Sequence, residues 1–306
     1  MSNRFSRQTF ATFDGPTVSV ILPVYRDWEP LRACLDSLRA QSYPADKLEI
    51  LIVNNDPEHS CPPDWVYGES TRVLEESLPG SYAARNRGVR EANGEILAFT
   101  DADCIPDPDW IERGVEALLA TPGLKRIAGI VKLFFRGEHP GWVEIYEKAF
   151  AFPQHSYVEE EAFGVTANLI TQREVFDKTG LFDAMLYSGG DREWGQHAEA
   201  MGIPVVFTET VVIRHPARSR MGQLLQKNRR AMGGWVQRHR GQRKEILFML
   251  ARLLLPPLGT LKSLGGRRDL SVREKGIALG IHCVLKAHSF TIIMGLILRK
   301  SDYERR

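Results

Sequence analysis

The chain has 306 residues, 43% of them hydrophobic and 25% charged, with a formal net charge of +2. These proportions exclude a disordered, collagenous or low-complexity polymer and leave room for one large domain or two small ones. The near-neutral total hides an asymmetry, because residues 1–209 carry 19 Lys and Arg against 33 Asp and Glu, whereas residues 210–306 carry 21 against 5. No acidic residue falls between Thr210 and Lys244, so the C-terminal part is expected to meet something anionic: phosphates, nucleic acid or a lipid surface. Cys34, Cys61, Cys104 and Cys283 are scattered without a Cys-x-x-Cys pair. That argues against a zinc site or a disulfide framework and predicts reduced, partly buried thiols in a cytoplasmic protein.

Residues 1–16 read as a polar leader with no apolar signal run, ending at Gly15-Pro16. Val18-Ser-Val-Ile-Leu22 is a near-continuous apolar run, as in a strand covered on both faces, and Pro23-Val24-Tyr25-Arg26 ends it. Trp28 to Gln41 has helical spacing through Leu31, Cys34, Leu35 and Leu38. Leu48–Val53 is a second buried strand, closed by Asn54-Asn55-Asp56-Pro57. A strand near Arg72–Leu74 leads through Pro79-Gly80-Ser81 to a helix over Tyr82–Asn93. Ile96–Phe99 is the next strand and runs into Asp101-Ala102-Asp103, stopped by Pro106. This alternation predicts an α/β fold, a mostly parallel sheet flanked by helices. Ligands of such sheets bind at the carboxyl ends of the strands, where all three polar clusters fall.

On an extended backbone Asp101 and Asp103 project to the same side. Two crowded carboxylates repel unless a cation lies between them, and a hard divalent ion carrying substrate phosphates is the usual answer. The plain alternative is a polar turn. No Gly-x-Gly-x-x-Gly follows a strand and no Gly-x-x-x-x-Gly-Lys-Ser/Thr occurs, which argues against a dinucleotide oxidoreductase and a P-loop phosphotransferase.

Further along, Ile127–Leu133 reads as a strand, followed by an aromatic stretch from Trp142 to Phe152. Gly189-Gly190-Asp191 precedes a helix over Arg192–Met201, and Val205–Phe207 and Val211–Ile213 read as the last two strands.

Four segments together resemble the family 2 glycosyltransferases of the nucleotide-diphospho-sugar (GT-A) fold, over roughly residues 17–216. They are Val18-Ser-Val-Ile-Leu-Pro-Val-Tyr25, Ser81-Tyr-Ala-Ala-Arg-Asn-Arg-Gly88, Asp101-Ala102-Asp103 and Gly189-Gly190-Asp191-Arg-Glu193-Trp194. Phe163–Ile170 is similar to the strand that lines the acceptor cavity. The resemblance implies an inverting, metal-dependent transfer of a sugar from a nucleoside-diphosphate donor to a hydroxyl acceptor. It implies Asp103 as the direct ligand of Mn²⁺ or Mg²⁺, with His215 completing the metal site or touching the diphosphate. Asp101 would contact the ribose or a metal-bound water, with Ala102 between the two acids. Pro23, Val24 and Tyr25 form the nucleotide-binding turn, and Arg85 would hold the diphosphate through a forked pair of hydrogen bonds. Asn54 and Asn55 stand where the family commonly has two acids; their amides still offer a donor and an acceptor to a base, with uridine diphosphate the leading carrier and guanosine or thymidine diphosphate open. Asp191 takes the place of the general base, with Gly189, Gly190, Glu193 and Trp194 on the acceptor side, and Gly190 replaces an acid.

Each assignment has a plain alternative: Tyr25 as a core-edge aromatic, Arg85 as a solvated cation, Asp191 as a helix cap and His215 as a structural histidine. Gln226-Lys-Asn-Arg229 is followed by Arg230 rather than Trp, which favours single-sugar transfer over processive synthesis. The rivals from other classes are a nucleotidyltransferase, disfavoured by the lack of a Gly-rich loop and Lys after the first strand, and a non-catalytic sugar-nucleotide-binding scaffold.

Residues 217–306 read as a basic helical extension. Ile246–Leu255 is too short to span a bilayer, and Gly276–Leu298 carries Lys286 near its middle. A spanning helix needs about 20 apolar residues and a central Lys costs roughly 2.5–3.5 kcal/mol. Both segments therefore read as interfacial helices on anionic lipid, which would place the protein in the cytoplasm, peripheral to the inner face of the cell membrane, beside a glycan or lipid-linked acceptor. Packing on the domain or in a dimer is the alternative. No nucleic-acid reading motif or stacking platform is present, so nucleic acid is not an expected partner.

Overall fold

The computed structural model describes residues 15–26, 28–59, 62, 68 and 70–299. The leader as far as residue 14 and Cys61 lie outside them. Among the described residues eight strands form one sheet: β1 (Val18–Val24), β2 (Leu48–Asn54), β3 (Thr71–Glu75), β4 (Ile96–Phe99), β5 (Ile105–Pro106), β6 (Arg126–Phe134), β7 (Leu169–Gln172) and β8 (Val205–Pro216). Their order is β3-β2-β1-β4-β7-β6-β8-β5. The pairs β1–β2, β1–β4, β2–β3 and β6–β8 are parallel. Strand β7 runs antiparallel to β4 and β6, and β5 to β8, so the sheet is mixed.

The apolar runs are buried on both sides because helices cover both sides. In β1, Val18, Val20, Leu22 and Val24 join one core, whereas Ile21 points into the other. The first core is closed by α1 (Trp28–Arg39) and α3 (Trp110–Ala120), through Leu31, Leu35, Trp110 and Val115. The second is closed by α2 (Ser81–Glu91), with α4 (Trp142–Phe150) and α5 (Gln154–Glu161) following elsewhere in the chain, and by α6 (Arg173–Thr179) and α7 (Gly190–Ala200). Phe99, Phe176, Phe182 and Trp194 meet there ring to ring, the closest pair being Phe176 and Trp194 at 4.5 Å. Burying such rings is worth roughly 1.5–3 kcal/mol each.

Two expectations change. The last two predicted strands are one, β8, interrupted by a bulge at which its register with β6 steps from Gly129↔Thr208 to Ile130↔Val212. Gly129 permits it, since a Cβ there would lie 2.2 Å from the Val211 carbonyl oxygen. Asn168 ties the bulge down, donating through Nδ2 to Ile130 O (2.9 Å) and Val211 O (3.0 Å) and accepting from Trp110 Nε1 (2.9 Å). The strand expected from Phe163 begins only at Leu169.

The C-terminal part forms α8 (Met221–Arg238), α9 (Arg243–Leu254), α10 (Leu258–Gly266) and α11 (Val272–Arg299). Leu224 of α8 and Ile281 and Leu285 of α11 share a core with Val143 of α4. By length and composition α11 could cross a membrane, and so could the bent pair α9 and α10 taken together. Lys286 spends its charge on the end of α9, where Nζ donates to Leu255 O at 2.6 Å and Arg252 O at 3.2 Å. It thus satisfies carbonyls at the end of α9, where a cation is favourable. Leu247, Phe248, Leu254, Leu255, Leu258 and Leu261 are exposed.

Candidate active site

Pairing of Val24 with Asn54 and of Ile21 with Phe99 brings the ends of β1, β2 and β4 to one edge. Beyond β4 the chain is not extended: the Cys104 N–H donates to Asp101 O at 3.0 Å, closing a turn. Ala102 drops its methyl into the core, and Asp101 and Asp103 remain partly exposed. His215, near the end of β8, completes the group. Ligand atoms of Asp101, Asp103, Cys104 and His215 all lie within 4.8 Å of one another.

The donor set suits a divalent cation. His215 Nδ1 lies 2.8 Å from Pro216 O, a partner that can only accept, so Nδ1 donates and a lone pair on the neutral ring would fall on Nε2. That nitrogen faces Asp103 Oδ1 at 3.6 Å. Fixing one imidazole nitrogen so that the other can ligate is the usual support for a metal-bound histidine. Burial pushes the Asp103 carboxyl above its ordinary value; His215 pulls it down, Asp101 pushes it up and Arg218 pulls it down. A cation would relieve that penalty. Cys104 is different, because burial foremost, with Asp101 and Asp103 adding to it, holds its thiol well above the ordinary value. It stays protonated and forms an apolar wall. Cys34 is buried likewise, whereas Cys283 is exposed.

Arg85 is not a solvated cation. It is 4% exposed and its Nη2 donates to Asp101 Oδ1 at 2.5 Å. A guanidinium taken out of water needs such a partner. Asn54 and Asn55 also spend their amides on the fold. Asn55 Nδ2 donates to Glu76 O (2.9 Å) and Leu78 O (2.8 Å), and its Oδ1 accepts from Gly80 N at 2.7 Å. Asn54 Oδ1 accepts from Asp56 N at 3.0 Å. These amides shape the loop instead of presenting an edge to a base. Asp56 is held below the usual carboxylate range by its hydrogen bond from Arg26, at 2.5 Å. Tyr25 is 51% exposed, with the Arg26 guanidinium 5.1 Å from its ring centre. It stands clear of the core. Pro23 and Val24 lie in β1 itself, Val24 fully buried.

On the other side, α7 begins at Gly190, two residues before the predicted start. Asp191 is therefore inside the first turn and not the capping residue; that position belongs to Gly189, at φ +80°. Asp191 and Glu193 both sit where the helix dipole favours negative charge. Trp194, expected on the acceptor side, is turned into the core, where its Nε1 donates to Gly180 O at 3.0 Å. It braces α7 from beneath.

Helix α2 links the two centres. Arg85 reaches Asp101, and Tyr82, one turn earlier on the same face, donates from its hydroxyl to Asp191 Oδ1 at 3.1 Å. Helix α8, read from sequence only as part of a basic extension, flanks both sides. Before its start Arg218 Nη1 donates to buried Glu147 Oε2 at 2.8 Å, and Lys227 Nζ lies 3.4 Å from Oε1. At its end Arg238 Nη1 donates to Ser188 O at 2.8 Å and occupies the space beside Gly189. The acid-free run from Thr210 to Lys244 was the signal in the sequence, but nothing in it named these partners.

Comparison with known proteins agrees with this architecture. A mannosyltransferase from Pyrobaculum calidifontis, PcManGT, solved in complex with GDP-Man and Mn²⁺, superposes with a TM-score of 0.54 at 18% identity, covering 95% of this chain and 77% of that one. The glycosyltransferase AglE of Haloferax volcanii is 34% identical over 227 residues, 72% of this chain and 74% of that protein. The glucosyl-dolichyl phosphate glucuronosyltransferase of the same organism is 27% identical over 207 residues, 61% of each chain. Residues 19–180 match the model for glycosyl transferase family 2. The chain belongs to glycosyltransferase family 2 and has the GT-A fold that the sequence led us to expect.

Proposed function

We propose that this glycosyltransferase is an inverting, metal-dependent enzyme that moves one sugar from a nucleoside-diphosphate donor to a hydroxyl of a glycan or lipid-linked acceptor. The observation that carries the reading is the convergence of Asp101, Asp103 and His215 within 4.8 Å, with His215 Nε2 left free to ligate. Asp103 and His215 would hold Mn²⁺ or Mg²⁺, and Asp101, anchored by Arg85, would contact the ribose or a metal-bound water. When bound, the ion supplies Lewis-acid stabilisation of the diphosphate leaving group, worth several kcal/mol. Tyr25 would stack on the base at the end of β1. Asp191 accepts the acceptor hydroxyl's proton as that oxygen attacks the anomeric carbon and the bond to the diphosphate breaks. Glu193 and the Gly189-Gly190 turn border the acceptor. Uridine diphosphate is the leading carrier; the GDP-Man in the complex of the Pyrobaculum protein makes guanosine diphosphate the second to test.

The acceptor end is assigned to a membrane surface. Exposed Leu247, Phe248, Leu254 and Leu258 on α9 and α10 are flanked by Arg243, Lys244, Arg252 and Lys262, an arrangement suited to anionic lipid. The dolichyl phosphate in the name of one relative fits a lipid-linked acceptor.

Calorimetric titration of UDP, GDP and dTDP, with and without Mn²⁺, into wild type and Asp103→Ala tests the donor site. Metal-dependent binding of one nucleotide, lost in the variant, is expected. Binding of none of them would favour a non-catalytic scaffold.

A further inference from the structure

A base must aim one oxygen at the incoming hydroxyl, and a free aspartate side chain has two torsions with which to lose that aim. In this protein one oxygen of Asp191 is tied. Oδ1 accepts the Tyr82 hydroxyl at 3.1 Å and the Arg192 N–H at 3.0 Å. Oδ2 has no hydrogen-bond partner among the described residues. The phenol that does the tying is itself immobile. Tyr82 is 6% exposed, its ring centre lies 5.7 Å from that of Phe182, and its edge abuts Gly190. A Cβ at Gly190 would sit 2.9 Å from two of the ring carbons. Burial, then the charge of Asp191, raises the phenol well above its ordinary value, so it keeps its proton and stays a donor.

We propose that Tyr82 is a positioning residue for this reaction: it holds the Asp191 carboxylate so that Oδ2 alone faces the acceptor, and residue 190 is glycine because the Tyr82 ring fills the space its side chain would need. The inference rests on the reading of Asp191 as the base. It gives a physical reason for the departure at Gly190, where the family resemblance leads one to expect an acid: a carboxylate there would collide with the ring and crowd a second negative charge against Asp191.

The test uses the full chain with UDP-glucose and GDP-mannose, Mn²⁺ and water as acceptor, read as released nucleoside diphosphate. Tyr82→Phe removes only the hydroxyl. Its kcat is expected to fall about 10- to 100-fold, the scale of a misaimed group, with KM unchanged. In an Asp191→Asn background the same change is expected to alter kcat by less than about twofold, because coupled residues are non-additive. Gly190→Ala, which keeps the hydroxyl but displaces the ring, is expected to reproduce the fall. Full kcat in Tyr82→Phe, or an equal fall in the Asp191→Asn background, would overturn the proposal and leave Tyr82 a packing residue. If the wild type releases no nucleoside diphosphate, the catalytic reading fails instead. Crystal structures of wild type and Tyr82→Phe then decide the positioning claim, which is wrong if the carboxylate of Asp191 keeps its orientation without the hydroxyl.

Discussion

The two carboxylate centres of this site differ in what they lack. At the end of β4, Asp103 is desolvated beside Asp101, with His215 Nε2 facing it at 3.6 Å; that centre is short of positive charge. On the first turn of α7, Asp191 has a neutral phenol and the Arg192 N–H on one oxygen and, among the described residues, no partner on the other; that centre is short of a proton donor. The comparison teaches that residue type alone does not assign a role, because both centres are built on aspartates. On the proposed reading their neighbours divide the work, a cation at one and a proton at the other.

If that division is right, removing the proton acceptor should have the largest effect on rate. Asp191→Asn is expected to lower turnover by about 10²- to 10⁴-fold while nucleoside-diphosphate binding, read by calorimetry, is retained. Unchanged turnover would remove Asp191 from the base role. Asp103→Ala should do the reverse, abolishing the Mn²⁺-dependent part of nucleotide affinity, a loss of several kcal/mol visible as a titration no longer sensitive to EDTA. Asp101→Ala sharpens the contrast through stability. It strands buried Arg85, whose Nε has no partner among the described residues, and should cost about 3 kcal/mol, measured as a shift in the urea midpoint.

The smallest expected effect concerns how α8 is pinned beside both centres. Burial pushes the Glu147 carboxyl up, but Lys227 and Arg218 outweigh it and hold the group below the usual carboxylate range. A folded-state value below the unfolded one means that this contribution is complete above about pH 4.3 and is lost as pH falls through the lower, folded value. Urea midpoints followed from about pH 6 to about pH 3 should therefore decline less steeply in Glu147→Gln than in wild type. Parallel declines would show that the pair does not anchor the helix.

Much of the donor side was legible in the chain. Apolar runs ending in Pro23, Asn54 and Asp101 could only be buried strands with their polar ends at one edge, and Ser81–Gly88 carried its motif in eight consecutive residues. What hydrogen bonds each polar group would make was not legible. Asn54 and Asn55 looked like base-reading amides, but Asn55 closes the loop to Gly80, and Trp194 looked like an acceptor contact but fills the core. Asn168 gave no sign that it would tie β6, β8 and α3 together, since its partners lie 38 to 58 residues away.

By itself the sequence determined the strand–helix alternation, the family and the acids that carry charge, because these depend on local periodicity and on motifs read within a few residues. Tertiary structure decided which acid meets which partner. Tyr82 and Arg85 are three residues apart, yet they reach Asp191 and Asp101, 109 and 16 residues away. Only the packing of α2 on the sheet, with Tyr82 against the start of α7, brings those side chains within hydrogen-bonding distance, and a hydrogen bond exists only at such distances.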